Sequence, residues 1–332
     1  MKKVMVGIIG CGTIANSAHI PAYLKNEDVE IKYFCDIIPE RAKAAVEKYG
    51  CGIAVEDYHR VLEDPEVEAI SVCTPNRMHT IIAIDAMRAG KHVLCEKPAA
   101  SNAAELQRMR AAAENGQAVL LEAMRSVYDP GFQAIEANLY RLGKIRSVSF
   151  RFCQYSSRYD NFRKGIIENA FRPELSNGAL MDIGVYCVHP LVRLFGMPEK
   201  IEGASVFLEN GVDGMGTILA QYPGWQAVLQ YSKITSGYTE SEVQGENGSM
   251  QIDRIADTRK ITIHERTGRR DVILIPKEEN NMVYEIREWL RLIENSQEDE
   301  KSKIYEEASG NEMQFLDLAR EKMGIRFPAD VS

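Results

Sequence analysis

The 332-residue chain has no C-x-x-C pair among its seven cysteines, no run of lysine and arginine, no apolar stretch long enough to span a bilayer, and only two tryptophans. Each absence narrows the reading. Cys11, Cys35, Cys51, Cys73, Cys95, Cys153 and Cys187 are scattered, mostly through apolar strand-like runs, which argues for free thiols in a reducing compartment rather than a disulfide framework or zinc site. None of the six histidines stands at useful ligand spacing from acids or cysteines, so no metal is expected. With 40 basic against 48 acidic residues the formal net charge is −8, and nothing in the sequence resembles a track for the phosphates of a nucleic acid. Met1-Lys2-Lys3 leads into Val4 to Ile9, which is too short for a signal-peptide core or a membrane span. A cytoplasmic protein without a membrane or nucleic-acid partner is the expectation. No internal repeat and no low-complexity tract is present.

From Val4 to about Ala123, short apolar runs alternate with segments of helical period, the rhythm of a parallel sheet covered by helices on both faces. The strands read as VMVGII, VEIKYFC, AISVCT, HVLCE and AVLLEA, with a shorter one near Gly52 to Val55. Helices are predicted over Arg77 to Ala89 and from Ser101-Asn102, where Glu105 completes a capping-box pattern. After the turn cluster Tyr128-Asp129-Pro130-Gly131 the rhythm changes. A helix from Phe132 to Leu142 precedes the alternating strand RSVSFRFCQY. Strand-like runs follow at Ile201 to Leu208, Thr217 to Tyr222, Trp225 to Tyr231, Met250 to Asp253, Ile261 to His264 and Val272 to Ile275, as in an antiparallel sheet. Helices are predicted at Leu180 to Phe195, Met282 to Glu294 and Asn311 to Met323, and the polar stretch Asn295 to Lys303 reads as a surface loop. The length suits two domains, placed at 1–124 and 125–332, the second of α+β class.

Gly10-Cys11-Gly12-Thr13-Ile14-Ala15 is a G-x-G-x-x-A that closes the first strand and opens a helix. Gly10 permits the tight turn, Gly12 lets backbone approach a pyrophosphate, and small Ala15 lets the helix pack on the sheet, while helix N–H groups, including those of the Thr13-Ile14 stretch, meet the phosphates. Asp36 ends the second strand, where a carboxylate accepts hydrogen bonds from an adenosine ribose. A 2′-phosphate would meet a like charge there, which favours NAD over NADP, although Arg41 is placed to swing toward such a phosphate. His19 reads as a helix-packing imidazole.

Ligands of open α/β sheets bind beyond the carboxyl ends of the strands, where Thr74-Pro75-Asn76 and Glu96-Lys97-Pro98 fall. A lysine aimed out of the end of a core strand therefore points toward a cofactor. In SNGALMDIGVYCVHPL, Asp182 and Tyr186 stand four apart, on one helix face, with His189 three further on. Ser176-Asn177-Gly178 is placed to cap that helix. The structural readings of these residues are an acid favouring the helix dipole for Asp182, a core aromatic for Tyr186 and a packing role for His189.

Taken in order, Gly10 to Ala15, Cys73-Thr74-Pro75-Asn76 with His79, Glu96-Lys97-Pro98 and Asp182-x-x-x-Tyr186 resemble the Gfo/Idh/MocA family, the glucose–fructose oxidoreductase and inositol dehydrogenase superfamily. The resemblance covers essentially the whole chain. It implies an N-terminal Rossmann domain with a doubly wound parallel sheet, and a C-terminal substrate-binding and oligomerisation domain whose open, mainly antiparallel sheet makes subunit contacts in a homodimer or homotetramer. It also implies NAD(P)-dependent oxidation or reduction of sugars, polyols or related diols. The family's catalytic lysine falls on Lys97 and its helix motif on Asp182 and Tyr186. Many inositol-dehydrogenase-like members carry histidine where this chain has Tyr186. Tyrosine there is similar to the glucose–fructose oxidoreductase, xylose dehydrogenase and dimeric dihydrodiol dehydrogenase branch. Ala170-Phe171-Arg172-Pro173-Glu174 is similar to that branch's Trp-Arg segment, with Phe171 in place of tryptophan, and makes Arg172 a candidate contact. The cofactor-binding expectation thus covers Gly10, Gly12, Thr13, Ile14, Asp36, Arg41, Thr74, Pro75, Asn76, His79, Glu96, Lys97 and Arg172.

Hydride transfer to or from a carbinol carbon leaves a proton to be moved on the oxygen. A phenol near pKa ~10 is a sluggish base at neutral pH, and an ammonium beside it favours phenolate. Lys97 is therefore expected to assist Tyr186 and to donate to the substrate oxygen, Asp182 to orient hydroxyls or hold Lys97, and Glu96 to contact the cofactor's amide or ribose. Arg125, Tyr155, Arg158 and Tyr159 are further candidate substrate contacts. Rival readings are an NAD-dependent glycoside hydrolase, which oxidises the sugar ring transiently, and a nucleotide-sensing regulator without catalysis.

Overall fold

The architecture is given by a computed structural model that describes residues 3–295 and 300–331. Six β-branched and aliphatic runs form β1 (Val4–Ile9), β2 (Val29–Cys35), β3 (Ile53–Val55), β4 (Ala69–Val72), β5 (His92–Glu96) and β6 (Leu120–Ala123). They lie in the order β3-β2-β1-β4-β5-β6, every pairing parallel. Both faces of such a sheet must be covered, and Ile8, Ile70, Val72, Val93 and Leu94 are completely buried. The strand order reverses between β1 and β4, so the crevice beyond their carboxyl ends is the position where an open α/β sheet takes its ligand. The capping expectation holds at helix Ala103–Gly116, where Asn102 Oδ1 accepts the Glu105 N–H at 2.8 Å, while the Glu105 carboxylate reaches back one residue further, to the Ser101 N–H at 2.9 Å.

The second sheet has eight strands: β7 (Ile145–Cys153), β8 (Lys200–Phe207), β9 (Asp213–Tyr222), β10 (Trp225–Ser232), β11 (Ser241–Gly245), β12 (Gly248–Ile252), β13 (Lys260–Glu265) and β14 (Arg270–Leu274). Their order is β14-β13-β12-β11-β7-β10-β9-β8, antiparallel throughout except for the parallel pair β7/β10. Strand alternation is clearest in β9, where Ile218, Ala220 and Tyr222 face the core between exposed Thr217, Leu219 and Gln221. β11 was not foreseen, because SEVQG is polar and carries one apolar residue, Val243. A turn at Leu180–Gly184 followed by helix Val185–Phe195 packs on β7 and β10.

The chain forms two compact units, one of Met1–Arg125 with Glu278–Glu307 and the other of Ser126–Lys277 with Ala308–Ser332. Helix Met282–Asn295 thus belongs with the first sheet, packing against Ile20–Leu24 and β6 and burying Trp289 completely. Trp225 lies in the second unit, stacked on Tyr222 with ring centroids 3.9 Å apart. The surface loop expected from Asn295 to Lys303 is corrected in part: residues 296–299 lie outside the described residues, Asn295 ends one helix and Glu300–Met323 is another. Its first half carries few apolar residues, so periodicity does not reveal it. All seven cysteines are free thiols, five of them buried. No helix among the described residues is long and apolar enough to cross a membrane.

Candidate active site

In the first unit, β1 delivers the chain into a turn that only glycine can make. Gly10 has φ +96°, and a side-chain carbon there would lie 2.5 Å from the Cys73 carbonyl oxygen. At Gly12 the same carbon would meet nothing within 4 Å, an open approach to backbone of the kind a pyrophosphate requires. Thr13 is exposed and Ile14 half-buried at the start of the helix that follows, whose first turns include a π-helical segment, Ala15–His19. Asp36 is buried and holds the glycine turn from the neighbouring strand: its Oδ2 accepts the Cys11 N–H and its Oδ1 the Ile38 N–H, each at 2.9 Å. A carboxylate offers about four lone-pair directions, so two backbone bonds leave it able to accept from a ribose hydroxyl. Arg41, about half exposed, reaches within 4.0 Å of Asp36. Burial, reinforced by the Asp36 charge, pushes the Cys11 thiol up to about 12, so it is a protonated packing group.

At the ends of β4 and β5, Thr74 and Pro75 are half-buried, Asn76 is buried at the start of helix Asn76–Arg88, and the Thr74 hydroxyl is sequestered without a hydrogen-bond partner. An orphaned hydroxyl beside the glycine turn suits a site completed by a ligand. His79 is placed differently from its expectation as a cofactor contact. It is fully buried, with Nδ1 3.0 Å from the Pro98 carbonyl and Nε2 2.8 Å from the Thr74 carbonyl. Burial pulls its pKa below the usual histidine range, while the two carbonyls facing its ring nitrogens favour the protons they accept. It ties the loop after β4 to the one after β5 and presents no atom to solvent. Lys97 is half-buried and is followed by a cis peptide to Pro98.

Glu96 is likewise drawn inward. Its Oε1 lies 2.6 Å from His19 Nε2 and its Oε2 accepts the Lys97 N–H at 3.1 Å. Burial opposes both charges, yet Cys73 and Glu96 beside His19 hold its imidazolium well above its usual range, and His19 holds the Glu96 carboxylate below its own. The packing role expected for His19 is therefore also an ionic one, bracing the residue before Lys97.

In the second unit, Asp182 lies in the π-helical turn Leu180–Gly184 and Tyr186 in the α-helix that continues it. The turn is wider than the α-helix that the four-residue spacing suggests. Tyr186 is 6 % exposed and meets Phe152 edge-on at 5.4 Å. The helix start differs from the expected Ser176-Asn177-Gly178 cap: Asp213, from β9, accepts the Leu180 N–H at 2.7 Å, and Gly178 makes room, since a side-chain carbon there would fall 1.9 Å from Asp213 Oδ1. Burial raises the Asp213 carboxyl to about 6. Asp182 Oδ2 is 2.8 Å from the ammonium of Lys233, a residue the sequence reading passed over because nothing in Tyr-Ser-Lys-Ile-Thr marks the lysine as buried. His189 packs as expected, and Nδ1 lies 2.5 Å from Glu312 Oε2. Arg172 is exposed, with Nε donating to the Ile167 carbonyl at 3.1 Å. Tyr155 donates to Asp160 at 2.7 Å, Arg158 pairs with Glu168 at 3.4 Å, and Tyr159 stacks on Phe171.

Comparison with known proteins identifies the family. Residues 4–123 match the model of an oxidoreductase family with an NAD-binding Rossmann fold, and residues 137–251 match a GFO/IDH/MocA C-terminal domain. A scyllo-inositol 2-dehydrogenase (NADP(+)) of Bacillus subtilis is 41 % identical over 305 residues, 92 % of each chain. A trans-1,2-dihydrobenzene-1,2-diol dehydrogenase of Mus musculus is 28 % identical, covering 98 % of both. Among solved structures, a 3-ketoreductase from Actinomadura kijaniata in complex with NADP and TDP-benzene shares the fold with a TM-score of 0.87 at 24 % identity, covering 98 % of this chain and 99 % of that one. The chain belongs to the Gfo/Idh/MocA family and is an NAD(P)-dependent oxidoreductase.

Proposed function

We propose that this protein is a dehydrogenase or reductase of a polyol, sugar or related cyclic diol, with Lys97, Tyr186 and Asp182 as its catalytic residues. The observation that carries the reading is the placement of Lys97 at the carboxyl end of β5, on the strand neighbouring the reversal of the parallel sheet, with its backbone braced by Glu96 and His79. The nicotinamide cofactor, when bound, supplies the carbon that takes or gives the hydride. Gly10, Gly12, Thr13 and Ile14 receive its phosphates, and Thr74 and Asn76 supply polar contacts beyond β4. Lys97 donates a hydrogen bond to the substrate oxygen as that oxygen gains charge. Tyr186 takes the hydroxyl proton in oxidation and returns it in reduction. Asp182 accepts from neighbouring hydroxyls and fixes the ring. The scyllo-inositol and dihydrodiol relatives support a substrate with adjacent ring hydroxyls.

At the adenosine end, Asp36 favours NAD, and Arg41 gives NADP an alternative partner, in keeping with the NADP of the scyllo-inositol 2-dehydrogenase relative. The second unit binds substrate and makes a homodimer or homotetramer through the outer face of its sheet, where Val206 and Leu219 are exposed, and the protein works in the cytoplasm. The test is absorbance of reduced nicotinamide while the protein and NAD, then NADP, meet inositols, aldoses, sugar phosphates, diols and glycosides. NADH production with a free inositol, sugar or diol is expected. Aglycone release from a glycoside without net NADH would replace this reading by the hydrolase, and cofactor binding with neither activity would replace it by the regulator. Arg41→Ala should lower kcat/KM with NADP about 10-fold and leave NAD use unchanged; equal losses with both cofactors would remove Arg41 from the selection.

A further inference from the structure

Lys233 follows the end of β10 and is 1 % exposed, with its backbone fixed by the Gly214 carbonyl (2.9 Å) and the Ser156 N–H (2.8 Å). A buried ammonium is costly unless its three N–H groups are matched. Here one lies 2.8 Å from Asp182 Oδ2, one donates to the Ala170 carbonyl at 2.5 Å, and the charge sits 4.6 Å from the centre of the Phe171 ring, a cation–π contact. The pair is asymmetric: the Lys233 side chain is 2 % accessible and the Asp182 side chain 31 %. The fold thus encloses the lysine, while the carboxylate keeps an accessible side on which to meet a hydroxyl. Asp213 caps the turn that carries Asp182, and its carboxyl feels the Lys233 charge. The same ammonium anchors the segment from which Arg172 projects.

Resting on the reading of Asp182 as the group that orients substrate hydroxyls, we propose that Lys233 is the positioning residue of the site: it fixes the rotamer of Asp182 within the π-helical turn and locks the Ala170–Phe171 backbone to it. The substrate face of the second unit is then one assembly, in which Asp182 and the 170–172 segment move together or not at all.

The test is a double-mutant cycle of Lys233→Met and Asp182→Asn, with kcat, KM and the dissociation constant of NADH measured for each. A misplaced orienting group costs on the order of 100-fold. K233M should lower kcat/KM for the accepted polyol by about that factor with NADH affinity unchanged, and K233M/D182N should be no worse than D182N. Losses that multiply, or near-normal turnover in K233M, would overturn the proposal. If K233M does not fold, Lys233→Gln, whose amide still donates to the Ala170 carbonyl, takes its place in the cycle. A crystal structure of the variant gives a readout independent of turnover: the Asp182 carboxylate should leave its wild-type position, and an unmoved carboxylate would refute the inference. Absence of wild-type turnover with every polyol, sugar and diol would instead defeat the functional reading, leaving the positioning role to be judged from that structure.

Discussion

Lys97 is the residue on which the functional reading turns, and its environment separates chemistry from packing. It is half-buried at a strand end, so replacing it removes no core contact comparable to Val93 or Leu94 beside it. Lys97→Ala should lower kcat by a factor of about 100 to 1,000, the usual loss of a donor to a developing oxyanion, and leave the melting temperature nearly unchanged. Steady-state kinetics with a thermal melt checks both halves; near-normal turnover would end the assignment. The strand-end lysine, the glycine turn and Asp36 were legible in the sequence because strand, turn and helix signals agree locally there. His79, Glu96 and Lys233 were not. Whether a polar side chain points into a ligand site or into backbone carbonyls is settled by neighbours distant in the chain, such as Pro98 for His79, His19 for Glu96 and Asp182 for Lys233.

Two elements carry information that periodicity does not. The π-helical turn at Leu180–Gly184 holds one residue more than an α-helical turn would, and such turns recur at functional sites. A sequence pattern of 3.6 cannot register them, which is why Asp182 and Tyr186 read as plain helix neighbours. Helix Met282–Asn295 was legible as a helix, but its place against the first sheet was not, because that sheet ends more than 150 residues earlier. It carries Glu285, which is completely buried, has no hydrogen-bond partner for either oxygen, and is raised by that burial to about 8. The sign follows from proton linkage. Between the ordinary carboxyl range and pH 8 the folded protein keeps a proton that the unfolded chain has released, so this group makes stability fall as pH rises through that window, by up to roughly 5 kcal/mol. Glu285→Gln should therefore be more stable than the wild type at pH 8 and lose the advantage toward pH 4. Urea unfolding at both values decides it, and a pH-independent difference would show that the acid is not what titrates.

At the scale of the whole molecule, the first unit is discontinuous: Glu278–Glu307 completes what Met1–Arg125 begins. The helix in that segment buries Met282, Val283, Ile286, Trp289 and Leu290, each contributing about 1.5–3 kcal/mol, which together rivals the net stability of a typical domain. A fragment of residues 1–125 should consequently unfold at lower urea than the same fragment fused to residues 278–307, and equal midpoints would show the segment to be dispensable. Two sheets of the expected kinds were legible from the alternation of period along the chain; the exchange of C-terminal segments between units was not, since it leaves no local signature. The two tryptophans fall one to each unit, Trp289 shut inside the first and Trp225 against Tyr222 in the second. The molecule thus carries its own pair of optical reporters: with Trp225 replaced by phenylalanine, ultraviolet emission follows the nucleotide-binding unit alone, and quenching by reduced nicotinamide, which absorbs where tryptophan emits, becomes a direct signal of cofactor binding that needs no substrate.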